Sequence, residues 1–100
     1  MSATWATFTF KPDIAMGEVE ATLRLAVIAT EALHGEARVQ AEAQPRVEPR
    51  SRTCAIAVVT DVGATLATIF GGYVRREFGE DAVNVHLPQT AAADPAGSRP

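Results

Sequence analysis

The amino-acid sequence predicts an α+β fold, and three observations carry the prediction. Short runs of β-branched and aromatic residues alternate with two long segments of helical periodicity. A glycine stands just past each helical segment, at Gly35 and Gly79, where a left-handed residue ends a helix. Residues 53–60 form a near-continuous apolar run, the pattern of a strand paired on both edges.

The elements follow in order. Residues 4–10 alternate, with Ala6, Phe8 and Phe10 on one face and Trp5, Thr7 and Thr9 on the other. Lys11-Pro12-Asp13 stops this first strand, because proline donates no ladder hydrogen bond. Asp13 is the expected N-cap of a helix reaching His34. Its stripe is Val19, Leu23, Val27 and Thr30, widened by Ala26 and Leu33. Residues 36–44 set Ala37, Val39, Ala41 and Ala43 against Glu36, Arg38, Gln40, Glu42 and Gln44, and this period of two predicts a half-buried strand. Residues 45–51, with two prolines, then read as a hairpin loop.

Residues 53–60 form the third expected strand, with Ile56 and Val58 inward. Thr60 or Asp61 caps a second helix that runs to about Phe78, with Leu66, Ile69, Phe70, Tyr73 and Val74 as its apolar stripe. In it, Gly71-Gly72 is unusual, since each glycine costs about 1 kcal/mol relative to alanine. Close packing of Ala64, Ala67 and Gly71 against helix one is the expected reason. A last strand spans 82–87, with Val83, Val85 and Leu87 on one side and Asn84 and His86 on the other. Residues 1–88 are expected to form one domain, and the small, polar residues 89–100 a disordered tail.

The order β-α-β-β-α-β resembles the split βαβ pattern of ferredoxin-like folds. The resemblance covers residues 4–88 and is to a superfold, with no family-specific motif. It implies a two-layer sandwich: a four-stranded antiparallel sheet in order 4-1-3-2 with both helices on one face. Strands one and three are expected at its centre, parallel to each other. Such a fold hosts many functions, so function must be argued from the site.

Composition narrows the classes. With 100 residues, 47% hydrophobic and 21% charged, the chain suits one folded domain. The net charge of −3 argues against a general nucleic-acid or anionic-membrane coat. The single cysteine, Cys54, excludes an intramolecular disulfide and a Cys-rich zinc module. The first ten residues lack the basic and apolar regions of a signal peptide, and residues 23–33 are too short and polar to span a bilayer. A cytoplasmic setting is the expectation.

Alternation assigns the open face of the sheet. It carries Trp5, Thr7 and Thr9, with Ala55 and Ala57, then Arg38, Gln40 and Glu42, and finally Asn84 and His86. A small apolar centre of Trp and Ala with a polar rim has the anatomy of a protein interface. Other chemistry is weaker. His86 is a general acid or base only if a second group joins it, and spacing specifies none. His34 suits the negative end of its helix. Cys54 reads as a small buried hydrophobe facing away from His86, so no metal site and no cofactor are expected. Gly63 follows Asp61 at a helix start but belongs to no phosphate-binding motif. Residues 38–52 hold four arginines against two glutamates and read as a solvated loop, not an RNA grip.

The leading expectation is a small non-enzymatic interaction module that self-associates through this face, as a homodimer or with a protein partner. The alternative is a small dimeric enzyme resembling cofactor-independent monooxygenases or isomerases of the α/β-barrel type, with His86, Asn84, Arg38 and Trp5 around a pocket. A third is a small-molecule-binding regulatory domain. An enzyme requires a closed pocket beside His86, and a module a flat contact.

Overall fold

Aromatic and β-branched residues flatten the chain into β1 (Trp5–Phe10), the first element of a computed structural model that describes residues 4–87. The expected tail lies outside the described residues. Then come α1 (Met16–His34), α2 (Glu36–Glu42), β2 (Arg46–Glu48), β3 (Thr53–Ala57), α3 (Asp61–Phe78), a 3-10 turn (Glu80–Ala82) and β4 (Val83–His86). The four strands form one antiparallel sheet in the order β2-β3-β1-β4. This is compatible with the expected 4-1-3-2, counted from the other edge. The central pair β1 and β3 runs antiparallel, not parallel as expected. Topology requires this: a crossover after β1 restores the strand direction, and the β2–β3 hairpin then reverses it.

The helices cover one face. Phe8 and Phe10 meet Phe70 of α3 edge to face, with ring centroids 4.9 and 6.3 Å apart. Around them are buried Ala6, Cys54 and Ile56 from the sheet, Val19, Leu23 and Ala26 from α1, and Leu66 and Val74 from α3. Val58, Val83 and Val85 are half-buried at the margin. Thr30 is buried in α1 and donates its hydroxyl to the Ala26 carbonyl at 2.8 Å. Leu33 and Tyr73, expected on the inner stripes, are exposed.

Residues 36–44 are the largest departure from expectation: Glu36–Glu42 form helix α2 in place of a strand, with Ala43 as its C-cap. Val39 and Ala43 are buried, four residues apart, whereas Ala37 and Ala41 are exposed. Glu, Ala, Arg and Gln all favour helix, and Arg38 and Glu42 form an i,i+4 ion pair at 3.0 Å. The edge strand comes instead from Arg46–Glu48, inside the expected loop. Its register sets Arg46 opposite Ala55 and Glu48 opposite Thr53.

Junctions decide where elements stop. Gly35 at φ +93° ends α1 with its N–H on the Glu31 carbonyl, and its own carbonyl accepts from Val39 to start α2. α1 begins at Met16 after Ala15, so Asp13 is not its cap. α3 starts at Asp61 with Thr60 in the cap position, but the Thr60 side chain makes no cap bond. Gly63 is buried, and only glycine fits, because a Cβ there would lie 1.7 Å from the Ala57 carbonyl oxygen; α3 docks directly on β3 backbone. Gly71 faces the Phe8 ring of the sheet, not helix one, and Ala64 is exposed. Arg52 ties the β1–α1 loop down, donating to the carbonyls of Phe10, Lys11 and Ile14. Among the described residues no helix is long and apolar enough to cross a membrane.

Candidate interaction site on the open sheet face

Register builds the open face row by row. One row crosses the sheet as Arg46, Ala55, Thr7 and His86, the next as Glu48, Thr53, Thr9 and Asn84. Beyond them Trp5 lies opposite Ala57. Thr9, Arg46, Glu48, Asn84 and His86 are exposed, Trp5, Thr7, Thr53 and Ala55 are half-buried, and Ala57 is buried. Cys54 and Ile56 point the other way, into the core.

Small side chains on β3 have a direct consequence. Ala55 and Ala57 separate β2 from β1 on this face, and a methyl group does not block a long side chain. The Arg46 guanidinium reaches across to lie 5.2 Å from the Trp5 ring centroid. Arg46 thus covers part of the largest apolar group of the face and brings a positive charge to its centre. Sequence reasoning missed Arg46, because its strand was read as loop. A methyl-lined strand beside a tryptophan is the signal that a long cation could reach it.

The structure brings seven expected residues onto one surface: Trp5, Thr7, Thr9, Ala55, Ala57, Asn84 and His86. It leaves three elsewhere. Arg38, Gln40 and Glu42 lie on α2, in the helical layer, because their segment is helical and its buried residues Val39 and Ala43 join the core. The Arg38 guanidinium bonds Glu42 and also Asp61 at 3.2 Å, and the Thr60 hydroxyl donates to Glu42 at 2.6 Å. The Arg38 hydrogen bond, then that of Thr60, hold the Glu42 carboxyl below its ordinary value. The same partner raises Arg38. This exposed cluster fastens α2 to the start of α3. Thr60 and Asp61, expected as helix caps, serve it instead.

The histidines and the cysteine stand apart. His34 Nε2 is 3.2 Å from the Thr65 hydroxyl, joining the end of α1 to α3. His86 is exposed on the β4 edge. Cys54 is buried, and loss of hydration pushes its thiol up to about 12. Among the described residues no three His, Cys, Asp or Glu side chains gather as metal ligands. Four grooves lie away from Trp5 and His86. One, of about 260 Å³, adjoins the face at Thr9 and Asn84 and runs between Lys11 and the Glu80–Asp81 turn.

The open face is methyl- and hydroxyl-rich, with a guanidinium beside its indole and charged residues on its β2 edge. Comparison with family models, with curated proteins and with solved structures finds no match for this chain.

Proposed function

We propose that the chain is a small non-enzymatic interaction module, a ferredoxin-like sandwich in a cytoplasmic setting, that pairs with a second copy through its open sheet face. The supporting observation is the row Arg46, Ala55, Thr7, His86, continued by Trp5 and Ala57. Its centre is low enough for a second layer to approach, and its one large apolar group sits beside that centre. Charge does not oppose a like face: Arg46 brings a positive charge beside Trp5 and Glu48 a negative one to the β2 edge, so a second copy presents both signs. Catalysis has weaker support, because Arg38, which the enzyme reading places beside His86 and Asn84, is held on α2 by Glu42 and Asp61.

Solution mass tests the reading. Light scattering after size exclusion is expected to show an associated wild type, and Trp5→Ala is expected to weaken that association by about tenfold or more. Association that Trp5→Ala leaves untouched rejects the sheet face as the contact.

A further inference from the structure

The helical layer carries a second surface, on the opposite side of the molecule from the sheet face. α1 is apolar on two sides. Its inner side buries Val19, Leu23, Ala26 and Thr30. Its outer side leaves Leu25 61% and Ile28 62% exposed, with exposed Ala21 and Ala32 one turn beyond at either end. Single exposed leucines are ordinary. These four, however, form one stripe, with steps of four, three and four residues, the alternation of a coiled-coil seam.

The stripe reads the same from both ends: small, large, large, small. Turned end for end about a two-fold axis, Leu25 of one copy faces Ile28 of the other, and Ala21 faces Ala32. The alanines let the helix ends approach closely while the larger side chains fill the centre. Arg24 and Glu31 flank the stripe on one side, seven residues apart. The antiparallel arrangement that aligns the apolar residues also sets Arg24 of each copy against Glu31 of the other. Neither forms an ion pair within the described chain, where Arg38 makes the ion pairs. On the other flank Leu25 shares a shallow groove of about 280 Å³ with Thr22, Tyr73, Arg76 and Glu77, room for the edge of an incoming helix.

We propose that α1 is a homotypic contact: two copies of this chain pack antiparallel along residues 21–32, Arg24 of each pairing with Glu31 of the other. The inference goes beyond the sheet-face reading and does not depend on it.

Sedimentation equilibrium over a concentration series tests both, on wild type, Leu25→Glu, Arg24→Glu, the double variant Arg24→Glu/Glu31→Arg, and Trp5→Ala. Far-UV circular dichroism and the denaturation midpoint confirm that each is folded; exposed Leu25 and Arg24 are not needed for the core. Leu25→Glu is expected to lower the mass reached at high concentration, to the monomer where α1 is the sole contact and to the sheet-face dimer where both contacts form. Arg24→Glu places like charges together twice and is expected to weaken association by about tenfold. The double variant is expected to recover to within about threefold of wild type. Three results overturn the proposal: a wild type monomeric up to about 1 mM, a Leu25→Glu mass equal to wild type, or a double variant no tighter than Arg24→Glu. A mass that responds to Trp5→Ala and not to Leu25→Glu rejects the helix contact and keeps the sheet face; the converse keeps the helix contact alone.

Discussion

Cys54 shows how position overrides residue type. It pairs with Phe8 and Val47 across the sheet and has no exposed surface. Burial favours the neutral thiol, and its pKa rises from 9.0 to about 12. Two outcomes follow. In the native protein the thiol is expected to resist an aromatic disulfide reagent at pH 8 and to react only as fast as the chain opens, which a stopped absorbance assay reads. The second concerns stability. The folded value lies above the unfolded one, so this contribution is fully present below about pH 9 and is lost as pH rises towards 12. Wild-type unfolding free energy, measured against Cys54→Ala, is expected to fall by up to about 1.4 kcal/mol per pH unit in that window. A difference constant from pH 8 to pH 11 would contradict the burial argument. From sequence, its place on the core face rested on the register of residues 53–60, which the pairing with Phe8 sets.

At the scale of elements, the long helices and three strands were legible from their aromatic and branched residues, but the register of residues 53–60 was not, because both faces of that run are apolar; the pairing of Cys54 with Phe8 sets it. The stretch 36–44 was not legible either. Its alternation rests mostly on alanine, which fits a helix surface as readily as a strand, and only Val39 carries real apolar weight. The burial pair Val39 and Ala43 has helical spacing, and the Arg38–Glu42 bridge exploits the same spacing. Once that segment is helical, the hairpin partner of β3 must come from Arg46–Glu48, a strand too short to show a period. α3 separates two kinds of glycine that sequence cannot distinguish. At Gly63 an added methyl meets the backbone of Ala57, whereas at Gly72 it meets nothing within 4 Å. Gly63→Ala is therefore expected to destabilise the protein by about 3 kcal/mol or more, through displacement of α3 from β3. Gly72→Ala is expected to stabilise it by about 1 kcal/mol, by helix propensity alone. Urea denaturation of the two variants measures both; similar effects at the two sites would reject the close helix–strand contact.

For the whole molecule, one small sandwich carries two candidate surfaces, one on the sheet and one on α1. Both candidate surfaces are sequence features that the core does not absorb. Trp5 was legible on the open side of the sheet from strand parity, whereas its alanine neighbours depended on the register of β3, which the pairs Trp5–Ala57 and Thr7–Ala55 set. The stripe Ala21, Leu25, Ile28 and Ala32 was hidden among the other apolar residues of α1, since a helix apolar on two sides gives no clear phase. The surfaces can be read separately in one sample, because the chain has a single tryptophan and it lies on the sheet side. If sheet faces meet, raising the protein concentration is expected to shift Trp5 emission to the blue and to reduce its quenching by acrylamide, as neighbouring surface replaces water. The same change is expected in Leu25→Glu, which leaves that face intact. If only the α1 contact forms, the mass doubles with concentration while emission stays constant. Arg46→Ala adds the internal control: it removes the guanidinium from the indole, so quenching in the dilute protein is expected to rise. Emission that follows concentration in wild type but is abolished by Leu25→Glu would mean that the two faces are coupled, and would reject their independence.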